Sequence, residues 1–256
     1  KVWARVIGGG GFGNNEWQSY TDGARNAFLD GKGNLIIEAR KEPTKGPDGI
    51  ARDYSSARLL TKGKFSQTYG RIEARMKLPK GKGIWPAFWM MGDSIDKKGW
   101  PGCGEIDIME FLGHETKTLY GTLHGPGYSG GSGLQARFDS KTNLNEGFHT
   151  YGVIWTPEAI KWTIDGKVYG TSTPETAGAR KWVFDDPFFL ILNLAVGGNW
   201  PGYPDATTQF PQRLVVDYIR VYKDKNLKVD RKALEAKHTA RMKRLTEFKG
   251  NPVFKL

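Results

Sequence analysis

The first 223 residues consist of short β-like segments separated by turns rich in Gly, Pro, Asn and Asp, without a sustained helical period. The clearest strand patterns cover residues 35–39, 71–77, 104–111, 119–123, 151–155, 161–164, 188–196 and 214–222. Asp165-Gly166 predicts a two-residue hairpin turn, because both residues tolerate the positive φ angles of a type I′ turn. The pattern predicts an all-β sandwich or barrel, and 256 residues suffice to bury the core of one large domain.

The charge of the chain is unevenly distributed. The formal net charge is +11, but residues 224–256 contain ten Lys or Arg and four Asp or Glu, a net +6, which leaves +5 for residues 1–223. Because the basic excess lies in a tail, we expect no nucleic-acid partner. No apolar run is long enough for a membrane span, so no membrane partner is expected. Cys103 is the only cysteine, which excludes an intrachain disulfide.

The segment 224–256 is predicted to be a basic, helical C-terminal extension of a domain that covers 1–223. Six residues recur there at roughly helical spacing: Leu234, His238, Arg241, Met242, Leu245 and Phe248. The charged residues between them predict an amphipathic helix. A helix packed on the convex face of the sandwich, or a partly ordered extension, is favoured over a binding module for acidic partners.

A run of six residues, Glu105 to Glu110, places three carboxylates in a strand-like segment. Successive side chains of a strand point to opposite faces, so Glu105 and Asp107 share one face. Strict alternation would put Glu110 on the other face, among isoleucines, where an unpaired buried carboxylate is costly. A β-bulge at Ile108 or Met109 returns Glu110 to the face of the other acids. We therefore predict three acids in a row on one face.

Such a row has the chemical equipment to hydrolyse a glycosidic bond. One carboxyl group protonates the leaving oxygen, while a second attacks the sugar or activates water. Like charges this close raise at least one pKa into the range of a general acid. A metal site or a solvated strand face is the alternative. Hard-cation sites usually take their oxygen ligands from loops, and a solvated face would alternate acids with Lys or Thr, so catalysis is favoured.

The acid strand, residues 104–113, together with 99–103, resembles the active-site strand of glycoside hydrolase family 16 in the bulged form found in laminarinases, the endo-1,3-β-glucanases. Six further segments resemble the family in the same order, namely 13–18, 55–59, 69–75, 85–90, 192–202 and 216–222. The resemblance implies a jelly-roll β-sandwich of two curved antiparallel sheets, whose concave face carries the substrate cleft.

The resemblance also implies an activity: retaining, endo-acting hydrolysis of internal β-1,3 bonds in β-glucans such as laminarin. Glu105 would be the nucleophile and Glu110 the acid/base, with Asp107 hydrogen-bonded to Glu105. No cofactor is expected for catalysis. The expected enzyme is a secreted monomer. Lys1 and the residues after it lack the pattern of a signal peptide.

Four tryptophans are candidate sugar-stacking residues. Trp85 and Trp89 lie four apart in a predicted strand and so share a face, and indole rings stack on the apolar face of a pyranose. Core packing is the ordinary alternative. The resemblance favours substrate binding for both, and for Trp100 and Trp200, which lie in loop-like segments beside Pro and Gly.

Three polar residues complete the candidate substrate site. The resemblance implies that Arg58 contacts a sugar hydroxyl, although an ion pair with a cleft acid is an alternative. Asn14 follows the glycine run 8–11, which as a loop could close over one end of the groove. His124 ends the strand after the acid strand and could hydrogen-bond Asp107 or the substrate, or could be a plain turn residue.

Asp217 is a candidate ligand for a structural calcium ion. The resemblance places such an ion on the convex face, held together with an acid from an N-terminal strand. That strand has no counterpart in this sequence, so an incomplete calcium site is expected. Residues 252–256 could fill the position of the missing strand, because the termini of sandwiches often lie close together.

The sequence is also compatible with two other functions. The same fold also serves enzymes that act on mixed-linkage glucan or on galactans of the agarose and carrageenan type. A glucan-binding lectin is the alternative from another class, but a lectin has no reason to keep Glu105, Asp107 and Glu110 on one face.

Overall fold

The structure, a computed structural model, describes residues 2–223, 225 and 227–247. These residues form sixteen strands in two sheets. The strands are β1 (Ala4–Val6), β2 (Gln18–Tyr20), β3 (Ala27–Leu29), β4 (Leu35–Lys45), β5 (Ala51–Ser56), β6 (Arg58–Leu60), β7 (Gly70–Lys77), β8 (Ile84–Gly92), β9 (Glu105–Glu110), β10 (Thr118–His124), β11 (Leu134–Asp139), β12 (His149–Trp155), β13 (Ile160–Ile164), β14 (Lys167–Ser172), β15 (Phe188–Val196) and β16 (Gln212–Tyr222). The helices are α1 (Ile95–Lys98) and α2 (Arg231–Glu247), with 3₁₀ turns at Gly11–Gly13, Gly130–Ser132 and Pro174–Ala177.

The two sheets have seven and nine strands. The seven-stranded sheet has the order β1-β6-β15-β8-β9-β10-β11, and the second has the order β14-β13-β12-β7-β16-β4-β5-β2, with β3 paired to β4. Neighbouring strands are antiparallel except β2 and β5, which pair in parallel. The predicted all-β sandwich of antiparallel sheets is confirmed, with this one pair as an exception.

Alternating apolar residues of the two sheets form one main core. On β7, Ile72, Ala74 and Met76 are fully buried and belong to the same cluster as Ile106 on β9. All eight predicted strand segments are strands in the structure. The predicted hairpin between β13 and β14 is also confirmed, because Asp165 and Gly166 have φ angles of 48° and 77°.

Helix α2 contacts the sandwich through two residues that the sequence pattern singled out, His238 and Arg241. Within residues 231–245 the buried or half-buried positions are the predicted Leu234, His238, Arg241, Met242 and Leu245, whereas Phe248 lies outside the described residues. The His238 Nε2 atom lies 3.0 Å from Asp185 Oδ2. Asp185 belongs to the connection between β14 and β15, and the packing of the helix on the convex face stays a prediction.

Arg241 makes the central contact of this attachment. Its side chain is buried, and its guanidinium donates to the carbonyl oxygens of Pro174, Gly178 and Arg180. The last two bonds measure 2.6 and 3.2 Å. A buried guanidinium thus satisfies backbone acceptors of a connection that has little regular structure of its own.

We expect the Arg241→Met variant to lose about 3 kcal/mol of unfolding free energy, because buried carbonyl oxygens lose their charged donor. Urea denaturation monitored by tryptophan fluorescence measures the change. Arg244→Met is the matched control, since Arg244 is an exposed arginine on the same helix. Equal stability losses in the two variants would contradict the role of Arg241.

Neither helix in the described part of the chain has the length and apolar character required to cross a membrane. The predicted replacement of the missing family strand by residues 252–256 falls outside the described residues.

Candidate active site

A β-bulge interrupts β9 where the acid spacing requires one. Against β8, Met109 pairs with Phe88 and Asp107 pairs with Trp89, so that Ile108 has no direct partner. Ile108 and Met109 are both fully buried in the core. The predicted bulge is therefore present, and both apolar residues of the bulge point inward.

The pairing of β9 with β10 shows which face the acids occupy. Glu105 lies opposite His124, Asp107 opposite Thr122 and Glu110 opposite Tyr120. The three β10 residues are spaced by two and therefore share one face, and directly opposed residues point to the same side of a sheet. All three acids accordingly lie on the outer face of the seven-stranded sheet, the face turned away from the main core.

An indole from the opposite sheet supports the bulge from inside. Trp162 on β13 donates from Nε1 to the carbonyl oxygen of Asp107 at 2.8 Å, so that this backbone acceptor is satisfied within the core. The ring lies against Gly121, where an added Cβ atom would come within 2.2 Å of Trp162 Cδ1. Only a glycine at position 121 leaves space for the indole in this position.

Burial raises the pKa values of all three acids, and the charge of Asp107 raises those of Glu105 and Glu110 further. Burial raises the pKa of Glu105 well above its usual value, and the charge of Asp107 adds to the effect. Burial also raises the pKa of Asp107. Burial, followed by the charge of Asp107, raises the pKa of Glu110 to about 8. The row therefore retains at least one proton near neutral pH.

Glu105 has the donors that favour its ionised form. The indole N–H of Trp100 donates to Glu105 Oε2 at 3.0 Å, and His124 Nε2 lies 3.6 Å from Glu105 Oε1. Both contacts lower the pKa of Glu105 against the effect of burial. The same His124 nitrogen lies 3.2 Å from Asp107 Oδ2, and a hydrogen bond from His124 to Asp107 or to the substrate stays a prediction. The expected hydrogen bond between Asp107 and Glu105 is not among those formed by the described residues.

Glu110 accepts a longer hydrogen bond than Glu105 does. Its carboxylate accepts a 3.3 Å hydrogen bond from Thr122 Oγ1. The charge of His124 and the indole of Trp85 also lower the pKa of Glu110, but the Trp85 N–H has no partner with good hydrogen-bond geometry. Glu110 is 9% exposed. With its pKa raised to about 8, the Glu110 carboxyl is protonated near neutral pH, as a general acid must be.

Trp85 and Trp200 lie at the Glu110 end of the row. Their rings meet edge to face with centroids 5.6 Å apart, and Tyr120 lies 5.0 Å from Trp200. Trp200 is 39% exposed, as Trp100 is at 47%. Exposed tryptophans beside the acids are available for stacking on sugar rings.

Arg58 and Trp89 lie on the other side of β9, toward β6. The guanidinium carbon of Arg58 lies 4.8 Å from the centroid of Trp89 and 5.2 Å from that of Phe12. Among the described residues Arg58 has no ion pair with an acid of the row, so the alternative interpretation of Arg58 finds no support. Phe12 belongs to the loop that follows the glycine run, which places that loop beside Arg58.

The Asn14 loop is tied to the loop that carries Trp200. Asn199 donates its backbone N–H to Asn14 O at 2.8 Å, and Asn15 Nδ2 donates to Asn199 Oδ1 at 2.9 Å. Asn14 and Trp200, both predicted from sequence, therefore lie on loops that are held together.

The sequence profile described as "Glycosyl hydrolases family 16" matches residues 14–220. The chain belongs to glycosyl hydrolase family 16. The resemblance inferred from the motifs is confirmed, and the chain is a glycoside hydrolase.

Similar proteins of this family include a curated enzyme and two solved structures. The beta-glucanase of Rhodothermus marinus is 44% identical over 230 residues, which cover 86% of this chain and 79% of the relative. The laminarinase catalytic domain of Thermotoga maritima is 52% identical with a TM-score of 0.84, over 88% of this chain and 92% of the other. The endo-beta-1,3-glucanase of Pyrococcus furiosus is 50% identical with a TM-score of 0.82, over 86% and 88%. The predicted jelly-roll fold is confirmed.

The family 16 hydrolase has one predicted metal ligand, Asp217. Its carboxylate lies 2.6 Å from Arg75 Nη1. Within the described ranges Asp217 belongs to no group of three or more His, Cys, Asp or Glu side chains that could hold a metal ion, and its role as a calcium ligand stays a prediction. The one such group comprises Glu105, Asp107 and His124, whose ligand atoms lie within 4.8 Å of one another.

Sequence reasoning missed several polar residues around the site of this family 16 enzyme. Thr122 contacts Glu110 and lies two residues before His124, so strand alternation was a usable signal. Asn193, which accepts a hydrogen bond from the indole N–H of Trp89, is the lone polar residue in the apolar strand β15. Tyr120 lies beside Trp200, again at alternate spacing from Thr122.

Proposed function

We propose that the protein is a retaining endo-β-1,3-glucanase that hydrolyses internal bonds of β-glucans such as laminarin. The observation that carries the proposal is the bulged row of Glu105, Asp107 and Glu110 on one face, with raised pKa values and with aromatic rings on both sides. The similarity to laminarinases supports the choice of substrate.

Glu105 is the proposed nucleophile. Its carboxylate attacks the anomeric carbon, and the bond from that carbon to the leaving sugar oxygen breaks. Trp100 and His124 hold the carboxylate and favour its charged form. Asp107 repels a second negative charge nearby and so favours a protonated neighbour.

Glu110 is the proposed acid/base. It transfers its proton to the leaving oxygen in the first step. In the second step it removes a proton from water, whose oxygen attacks the anomeric carbon and displaces Glu105, so that both groups return to their starting states. No cofactor takes part in this mechanism.

The substrate-binding residues are proposed on the same basis. Trp85, Trp100 and Trp200 offer exposed or half-buried rings next to the acids. Asn14, Arg58 and Trp89 line the side toward β6, and His124 faces the acids directly. Residues 1–223 form the proposed catalytic domain and 224–256 its basic extension. We further propose that the enzyme is a secreted monomer.

Product analysis tests the substrate. The purified protein is incubated with laminarin, lichenan, agarose and carrageenan, and the products are separated by chain length. Release of oligosaccharides from laminarin at the highest rate is expected, and release chiefly from agarose or carrageenan would overturn the β-1,3-glucan assignment. Proton NMR of the first products should show the β-anomer, whereas the α-anomer would contradict retention.

The pH dependence of the rate follows from the pKa of Glu110. The acid must be protonated to act, so kcat/KM should fall tenfold per pH unit as the pH rises above about 8. Initial rates on laminarin between pH 4 and 10 measure this limb. A rate that is already falling below pH 6 would contradict the protonated state proposed for Glu110.

A further inference from the structure

A chain of buried hydrogen bonds runs from the back of Trp89 into the protein. The Trp89 indole N–H donates to Asn193 Oδ1 at 2.7 Å, and Asn193 Nδ2 donates to the Tyr20 hydroxyl at 3.1 Å. That hydroxyl donates to Glu16 Oε2 at 3.2 Å. Asn193, Tyr20 and Glu16 are 6%, 0% and 4% exposed. The chain therefore ends on a carboxylate that solvent hardly reaches.

Glu16 is held by further donors. Gln18 Nε2 donates to Glu16 Oε2 at 2.6 Å, and Asn14 Nδ2 donates to Glu16 Oε1 at 3.4 Å. Burial raises the pKa of Glu16, while these donors and the charge of Arg58 lower it. Charge-assisted hydrogen bonds of this kind fix geometry more strongly than neutral ones.

Arg58 contacts the indole that this hydrogen-bond chain holds. Its guanidinium lies between the rings of Phe12 and Trp89, and its buried Nε atom has no hydrogen-bond partner. Arg58 is half-buried, and its position therefore depends on the position of the Trp89 ring on which it lies.

The two supported residues lie next to each other on the outer face. Trp89 on β8 pairs with Asp107 of the acid strand, and Arg58 on β6 pairs with Asn193 on β15. Trp89 lies opposite Ile191 on β15, and Asn193, which faces Arg58, is two residues from Ile191 and shares its face. A sugar chain that passes over the acids on this side meets Trp89 and Arg58.

We propose that Glu16 is a positioning residue, which through Tyr20 and Asn193 fixes the indole of Trp89, and with it the guanidinium of Arg58 that lies over this indole, for the sugar bound on the β6 side of the acids. Glu16 itself does not touch the substrate. The inference rests on the proposed β-1,3-glucan function, because it concerns how that substrate is held. A purely structural role for Glu16 is the competing explanation.

The first test observes Trp89 without any sugar. The indole N–H resonance of Trp89 is assigned in a ¹H–¹⁵N spectrum by its loss in Trp89→Phe. Glu16→Gln, which removes only the charge, and Tyr20→Phe, which removes the central hydroxyl, should both shift this resonance. Because no substrate is present, this result does not depend on the proposed function.

The second test uses laminarihexaose. We expect Glu16→Gln to raise KM about tenfold, with kcat within about threefold of wild type, since one charged contact supports ground-state binding. The distribution of products should also change, because the hexasaccharide loses its anchor on one side of the acids. Wild-type protein that leaves laminarihexaose uncleaved would overturn the proposed function before any variant is compared.

Glu38→Gln is the matched control. Glu38 is a buried glutamate, 1% exposed, held by Arg40 and Arg213 in the nine-stranded sheet. Its variant should lose thermal stability but keep the Trp89 resonance, the KM and the product distribution. If Glu16→Gln behaves in the same way, the positioning role is wrong. If Glu16→Gln does not fold, Tyr20→Phe decides the question on the same readouts.

Discussion

Glu105→Gln and Glu110→Gln are each expected to lower kcat on laminarin by at least about 10⁴-fold, because one removes the nucleophile and the other the proton donor of the same bond cleavage. The amide keeps the size of each side chain and removes its acid–base chemistry. Neither variant should lose much stability, since the native carboxyls are buried and mutually repelling. Reducing-sugar release and thermal unfolding measure the two effects.

The two roles can be separated with an activated substrate. A dinitrophenyl β-laminaribioside has a leaving group that needs no protonation, so Glu110→Ala should still release dinitrophenol in a burst that equals the enzyme concentration. Glu105→Ala should show no burst, because it cannot form the covalent intermediate. Glu115→Gln is a suitable control, since this acid hydrogen-bonds Tyr120 outside the row. A burst in Glu105→Ala with none in Glu110→Ala would exchange the two assignments.

Gly121→Val is expected to destabilise the fold by several kcal/mol and to abolish activity, because a Cβ atom at this position would lie 2.2 Å from Trp162 Cδ1. The indole would have to move, and the carbonyl oxygen of Asp107 would lose its donor inside the core. The bulge that aims Glu110 would then lack its support. Denaturant unfolding and laminarin hydrolysis measure the two losses.

A double variant shows whether the loss comes from the clash with Trp162 or from any substitution in β10. Trp162→Leu makes room for the larger residue, so Gly121→Val combined with Trp162→Leu should be more stable than the sum of the two single losses predicts. Gly131→Ala is the control, because no atom lies within 4 Å of a Cβ added there and its φ angle is not positive. Additive losses in the double variant would refute the proposed clash.

The sequence was sufficient to predict strands wherever alternation was strong. Leu190, Leu192 and Leu194 alternate with residues of the outer face on β15, and the positive φ of Asp165 follows from the turn chemistry of Asp-Gly. The parallel pairing of β2 with β5 could not be predicted, because a three-residue strand carries no signal for its partner or direction. The docking place of α2 was hidden for a similar reason, since periodicity reveals which face is buried but not against what.

The part of the candidate site that lies on a single strand, β9, could be predicted from the sequence. The spacing of Glu105, Asp107 and Glu110 required a bulge, and the structure has one. The contact of His124 with Asp107 was one of several open possibilities, and only the register of two strands decides it. The link from Trp89 to Glu16 joins residues 73 positions apart in the chain, and no local pattern encodes such a contact.

The contacts of helix α2 determine where this protein can be truncated. Residues 14–220 carry the family pattern, yet the carbonyl oxygens of Pro174, Gly178 and Arg180 inside that range receive their donor from Arg241 outside it. A fragment limited to residues 14–220 would therefore lose the Arg241 hydrogen bonds to these three carbonyl oxygens. A recombinant boundary or fusion point placed between residue 220 and helix α2 would separate the helix from the sandwich that it contacts.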